Sequence, residues 1–265
     1  MSKKIRVALS GSGMKFPAHV GALTAIRDAG YEIVEIIGTS GGSIVAGMLA
    51  SGMSVDTMKT LSFEKDWTSM MNYSPLAIFN NGFCSGANLY RFLKENTAGK
   101  TFGDLAIDLS VVASDVAHQR PIIFSKEMTP DVEVAFACRA SASIPFVYTP
   151  VRYKTTIAVD GGIVNNLACD RLKVDDVPRL GVQLVSNDLP LRLNSRLGIG
   201  TLAARLIDLM LSACESAHVS AAQMAGAKMA FVETGYASSL DRNMALQVRQ
   251  RLFNDGYAAT FKALK

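Results

Sequence analysis

The sequence predicts an α/β fold built on a mostly parallel sheet, and three observations lead there. The first fifty of its 265 residues read as strand, glycine loop, helix, strand, sharp turn and helix, the pattern of a parallel unit with a right-handed crossover. Short apolar runs then alternate with helix-spaced segments as far as the C-terminus. Hydrophobic residues make up 49% of the chain and charged ones 19%, enough apolar material for a large core in one domain spanning residues 1–265.

Ile5 to Ser10 is the first expected strand. It runs into Gly11, Ser12 and Gly13, then a helix from about Pro17 to Ala29, with proline suited to the first turn and Gly30 to the exit. Ile33 to Ile37 is the second strand, and after Gly38 to Gly42 a small-residue helix covers Ser43 to Ala50, closed by Gly52. From Ser54 to Lys100 the pattern loosens. Trp67, Met70, Met71, Tyr73, Phe79 and Phe83 suit short helices over a cleft, as plain core, a lid or an acyl-chain pocket.

Leu109 to Ala113 is a strand ending in Ser114 and Asp115, with Ile122 to Ser125 beside it. Pro130 to Ser143 has helical spacing, ended by Ile144-Pro145 because a residue before proline avoids helical angles. Val151 to Val159 alternates apolar and polar residues and reads as one strand delivering Asp160 to the turn Gly161, Gly162. Arg179 to Val185 is a further strand, Ile199 to Ala225 an alanine-rich helix, Met229 to Thr234 a last strand and Asn243 to Lys265 a closing helix.

Several function classes fall away on composition. No run reaches the roughly eighteen apolar residues of a membrane-spanning helix, and Met1 to Arg6 leads straight into a strand, so a cytoplasmic or leaderless protein is expected. Cys84, Cys138, Cys169 and Cys214 show no CxxC spacing and are expected to be buried small hydrophobes; neither a metal nor another cofactor is expected. A net charge of +4 spread along the chain is too weak for nucleic acid but compatible with contact at an anionic membrane surface. Gly11 and Gly13 do not make a dinucleotide loop, since Phe16 replaces the third glycine and no acidic residue ends the second strand.

The candidate nucleophile is Ser40, framed by Gly38, Thr39, Gly41 and Gly42 on a sharp strand-to-helix turn. Side chains at Gly38 or Gly42 would crowd such a turn, and the following helix aims its N-terminal amides at the serine. A serine hydroxyl needs a positioned base. His19, His118 and His218 lie on helices or in a polar stretch, without the placement a triad requires. Asp160, at a strand end before two glycines, can take that role if it is kept partly dry, although Asp-Gly is also a common turn signal.

Three ordered blocks then match one family. VALSGSGMKFPAHVGAL, IIGTSGGSIVAG and AVDGGIVNN resemble the glycine-rich loop, the GxSxG elbow and the aspartate turn of patatin-like phospholipases, and CRASASIPFVYTPV is similar to the stretch before that aspartate. The likeness covers roughly Ile5 to Ala168. It implies a three-layer α/β/α sandwich and a lipid acyl hydrolase of phospholipase A or lysophospholipase type, acting on a phospholipid or other fatty-acyl ester. It also implies Ser40 as nucleophile, Asp160 as base, an oxyanion hole at Gly11, Ser12 and Gly13, and Lys15 as its neighbouring basic residue. Ser12 and Phe16 depart from the family's glycines, so Phe16 is expected to narrow the substrate entrance. An acyltransferase and a non-catalytic interaction protein are the alternatives on the same fold.

Overall fold

The protein is described here by a computed structural model covering residues 2–70, 82–185 and 215–265. In chain order these residues form β1 (Lys3–Leu9), α1 (Pro17–Asp28), β2 (Tyr31–Thr39), α2 (Gly41–Ala50), α3 (Val55–Glu64), β3 (Gly82–Cys84) and α4 (Ala87–Asn96). There follow β4 (Asp108–Asp115), β5 (Arg120–Ser125), α5 (Val134–Ser141), β6 (Phe146–Tyr148), β7 (Val151–Tyr153), β8 (Thr156–Asp160) and α6 (Gly162–Asn165). The last elements are β9 (Arg179–Val185), α7 (Glu215–Met224), β10 (Lys228–Glu233) and α8 (Leu246–Leu264).

Five strands, in the order β10-β9-β1-β2-β4, pair in parallel and make the body of an eight-stranded sheet. Side chains alternate across it, as strand geometry requires. Val7, Leu9, Ile36, Val111 and Ala113 enter one core with α1, α2, α5 and α8, whereas Ala8, Ile37 and Val112 enter a second with residues 164–172 and α7. Both faces of the sheet are therefore covered, giving the three-layer α/β/α arrangement that near-continuous apolar strands demand.

The end of the sheet next to β4 decides where the site forms. Strand β5 runs antiparallel along residues 110–115 of β4, occupying one edge. The opposite edge is shared. Strand β2 pairs with it in parallel as far as Thr39 opposite Val112, and β8 pairs antiparallel from Asp160 opposite Ala113. The two strands thus approach each other head-on along one row, and their ends meet.

Several expectations are corrected. Val151 to Val159 is not one strand but the hairpin β7-β8, turning at Lys154 with φ +51. Both arms alternate, so the period hides the turn, and Lys154-Thr155 lacks the usual Asn-Gly signal. The helix expected from Pro130 starts only at Val134, because the carbonyls of Pro130 and Val132 accept from Gly103 and Phe102 instead. It ends at Ser141, before Ile144, and the Ser143 carbonyl accepts the Asp160 N–H. Strands β3 and β6 pair with each other as a separate parallel ribbon that sequence spacing did not suggest.

Between 54 and 100 the described residues include α3, a 3-10 turn at Thr68–Met70, and α4. Met71, Tyr73 and Phe79 lie outside the described residues, as does the expected helix Ile199 to Ala225 up to residue 214, including Cys214. Cys84, Cys138 and Cys169 are buried free thiols. Among the described residues no helix is long and apolar enough to cross a membrane.

Helices α1 and α8 approach so closely that glycine is needed on both. A Cβ at Gly256 would stand 1.9 Å from the Ala18 carbonyl oxygen, and one at Gly21 would stand 2.0 Å from that of Phe253. Helix propensity alone favours Gly256→Ala by about 1 kcal/mol. Overpacking against rigid backbone costs about 1–3 kcal/mol and outweighs it. The substitution is expected to lower the Tm by about 3–6 °C in a calorimetric scan, and an unchanged or higher Tm would contradict this packing.

Candidate active site

Ser40 sits between β2 and α2 with φ +50 and ψ −124, a backbone region that non-glycine residues occupy only under strain. Its surroundings hold it there. Its N–H donates to the Ser141 hydroxyl at 2.8 Å, and its carbonyl accepts from the Ser43 N–H at 2.9 Å and the Ser43 hydroxyl at 2.6 Å. Ser141 in turn donates to the Val112 carbonyl at 2.5 Å, tying the elbow to β4. The flanking glycines are required for space. A Cβ at Gly38 would lie 2.6 Å from the Gly42 carbonyl oxygen, and one at Gly42 would lie 2.3 Å from that of Ser10.

Asp160 arrives from the other direction. Its Oδ2 accepts the Ser40 hydroxyl at 2.6 Å, and its Oδ1 accepts the Gly162 N–H at 2.8 Å. The main chain of the aspartate is pinned as well, with its N–H on the Ser143 carbonyl at 3.0 Å and its carbonyl accepting from the Ser114 hydroxyl at 2.7 Å. Gly161 crosses β4 so tightly that a Cβ would stand 2.1 Å from the Val112 carbonyl oxygen. Ser40 and Asp160 are both buried, at 4% and 1% exposure. Burial pushes the Asp160 carboxyl up to about 6, with the hydrogen bonds from Ser40 and Gly162 opposing part of that rise.

The Gly11, Ser12, Gly13 loop lies directly over the elbow. A Cβ at Gly41 would fall 2.3 Å from the Ser12 hydroxyl oxygen and 2.9 Å from the Gly13 nitrogen. The Gly11 N–H, expected as an oxyanion donor, is already committed to Asn166, whose carbonyl and side-chain oxygens accept it at 3.0 and 3.1 Å. Among the described residues the Ser12 and Gly13 N–H groups meet no acceptor. Lys15 is buried within a 3-10 turn and is not among the residues lining the cavity at Ser40.

That cavity, about 60 Å³, is walled mainly by apolar side chains. Ile44 and Met48 continue the Ser40 face of α2, one and two turns on. Phe16 lines it, packed edge-to-face on Trp67 at 4.8 Å, which meets Phe92 at 5.4 Å. Trp67, Met70, Leu89 and Phe92 come from the 54–100 region, whereas Phe83 is 57% exposed and lies elsewhere.

No histidine bonds to Ser40 among the described residues. His19 is fully buried, its Nε2 donating to the Ser10 carbonyl at 2.8 Å, and desolvation lowers its pKa to about 4. His118 pairs with Asp115, and His218 faces Asn165 and Asp170. Sequence reading missed Ser141, Asn166, Ser239 and Arg242. Asn166 stands within the quoted AVDGGIVNN block, and Ser141 within CRASASIP, but nothing local marks them as partners of Ser40 and Gly11. Ser239 accepts the Met14 N–H at 2.8 Å, and with Arg242 it lines the cavity from beyond β10.

Comparison with known proteins bears on the family and the fold. The family model described as patatin-like phospholipase matches residues 7–172. An uncharacterized protein of Acanthamoeba polyphaga mimivirus is 29% identical over 94% of this chain and 90% of its own length. A probable lipid hydrolase of invertebrate iridescent virus 6 is 28% identical over 62% of this chain and 61% of its own length. Among solved structures, VipD from Legionella pneumophila superposes with a TM-score of 0.65 at 17% identity, covering 99% of this chain and 66% of VipD. ExoU from Pseudomonas aeruginosa, solved with SpcU, gives 0.54 at 20% identity, covering 99% of this chain and 51% of its own. The chain thus spans about half to two thirds of the iridescent-virus, VipD and ExoU proteins, and most of the mimivirus one. With the family model matched over residues 7–172, more than half of the chain, and with the aspartate turn and the glycine loop both meeting the serine elbow, this chain belongs to the patatin-like phospholipase family.

Proposed function

We propose that this chain is a lipid acyl hydrolase in which Ser40 and Asp160 act as a catalytic dyad. The observation that carries the reading is the 2.6 Å hydrogen bond from the Ser40 hydroxyl to the buried Asp160, beside the mainly apolar cavity that Ser40 lines. Ser40 Oγ attacks the ester carbonyl while its proton passes to Asp160 Oδ2. The tetrahedral oxyanion is held by the N–H groups of Ser12 and Gly13, with the positive end of α2 behind it; one such donor contributes about 3–4 kcal/mol. Collapse expels the alcohol, which takes the proton from Asp160 and leaves an acyl-Ser40. Asp160 then deprotonates a water that releases the fatty acid and restores the hydroxyl.

Two further features support a lipid. The cavity walls suit an acyl chain, and one matched relative is named a probable lipid hydrolase while another, from Aspergillus fumigatus, is named a lysophospholipase. At about 60 Å³ the cavity holds only a few waters, so the unbranched Met14, Met48 and Met70 side chains must shift to admit a chain. Peripheral contact with a membrane surface would deliver it.

Ser40→Ala is expected to lower ester hydrolysis at least about a thousandfold, and Asp160→Asn nearly as far, while both remain folded. A fluorophosphonate probe should label the wild type at Ser40 and neither variant. Wild-type rates in Asp160→Asn would reassign the base, and an unlabelled wild type would favour a non-catalytic role.

Asp160 works as a base only when deprotonated. With its pKa near 6, kcat/KM is expected to fall about tenfold per unit as the pH drops below about 6. A flat profile from pH 5 to 8 would contradict the raised value.

The same shift has a stability consequence. A carboxyl whose folded pKa lies above its unfolded value of about 3.9 binds its proton more tightly in the native state. It therefore destabilises the fold increasingly from pH 4 upward, with the full effect above pH 6. Denaturant titrations should find Asp160→Asn more stable than wild type at pH 8, by on the order of 2–3 kcal/mol, with the gain vanishing near pH 4. Equal stability at pH 8 would show the buried carboxylate to be compensated elsewhere.

A further inference from the structure

One wall of the Ser40 cavity carries charge that the hydrolytic steps do not use. Arg242, half-buried in the turn ahead of α8, lines the cavity, and its Nη1 donates to the Leu240 carbonyl at 3.2 Å. Its guanidinium carbon stands 5.8 Å from the centre of the Tyr148 ring, which also lines the cavity. The guanidinium of Arg139, itself buried, lies 5.2 Å from the same centre. Arg139 donates only to neutral oxygens: the carbonyls of Gly86, Ser85 and Thr149 and the hydroxyl of Ser143. Among the described residues no carboxylate pairs with either arginine.

Among the described residues, two guanidinium charges therefore share one buried aromatic ring with no carboxylate paired to either. Charge withdrawn from water without a counter-ion is costly, and an anion brought by a ligand removes that cost. The planar donor fork of arginine matches a phosphoryl group in geometry and charge. An ester whose carbonyl lies at Ser40 and whose glycerol bears a phosphodiester can place that group against this wall while its acyl chain follows the apolar one.

We infer that Arg242 forms an anion subsite of the Ser40 cavity, which takes the phosphodiester of a glycerophospholipid and so favours that substrate over a neutral glyceride. The inference rests on the acyl-ester reading of the cavity, but its determinant lies outside residues 7–172, the span that matches the family. Free phosphate offers the fork the same chemistry as the lipid headgroup.

Binding separates the subsite from turnover. Calorimetric titration of the full chain with an octyl-ether glycerophosphocholine and with octyl glycerol ether, neither of which can be hydrolysed, compares the two ligands directly. Arg242→Gln is expected to weaken the phosphocholine ether at least about tenfold, the size of a lost hydrogen bond to a charged group, and the glycerol ether by less than about twofold. Arg242→Lys keeps the charge without the fork and should fall between, which holds the test open if the glutamine variant folds poorly. Competition by millimolar inorganic phosphate would show a site for phosphate from either source. Its failure beside a lost headgroup preference would assign the subsite to the lipid-borne group. Wild-type affinity for the phosphocholine ether in both variants would overturn the subsite, whether or not the chain hydrolyses esters. Absent ester hydrolysis with an intact Arg242 effect would instead overturn the hydrolase reading.

Discussion

The structure depends on two strands ending against each other along one edge of β4. Strand β2 leaves that edge at Val112, and β8 takes it up at Ala113 from the opposite direction. A parallel and an antiparallel strand sharing one row bring their C-terminal ends together, so the residue after Thr39 and the last residue of β8 become neighbours. Residues separated by 120 positions in the chain reach hydrogen-bonding distance this way. Neither loop length nor side-chain reach has to be tuned for it, because ladder register does the positioning. The tight crossing at Gly161 and the Thr39 hydroxyl bond to the Asn165 carbonyl at 3.1 Å close what remains of the gap.

Holding the pair there requires unfavourable local states to be offset nearby. Ser40 adopts a strained backbone and Asp160 keeps a carboxyl out of water. Three serines support both, two through their hydroxyls and Ser143 through its backbone carbonyl. Ser141 bridges the elbow amide to β4, Ser143 receives the aspartate N–H, and Ser114 bonds its carbonyl. The desolvation that raises the Asp160 pKa also brings it closer to neutral pH, where a base is most effective.

The chain beyond the family match contributes to the same cavity. Ser239 accepts the Met14 N–H, so the segment after β10 braces the glycine loop from outside, and Arg242 places a cation on the cavity wall. Asn166 holds the first amide of that loop, while the next two have no acceptor among the described residues. The departures from the usual loop glycines have physical consequences here. Phe16 becomes an aromatic wall with Trp67, and the Ser12 hydroxyl oxygen lies against Gly41, which stays unsubstituted to make room for it.

Most of the fold was legible because apolar period and glycine placement are local signals. Strands β1, β2, β4, β5, β9 and β10, helices α1 and α2, and the Ser40 elbow all follow from spacing over ten residues or fewer. Asp160 was legible as a strand-end aspartate before two glycines. The sequence could not determine what depends on distant partners. The hairpin β7-β8 has the same period as a single strand, and the helix starting at Val134 loses its first turn to pairing with residues 100–103. Only the tertiary structure decided that Gly11 commits its amide to Asn166, that Ser141 accepts the Ser40 N–H, and that two arginines face one tyrosine with no carboxylate paired to either among the described residues. Each of these is a hydrogen bond or a field between segments far apart in the chain, and no local pattern encodes such a contact.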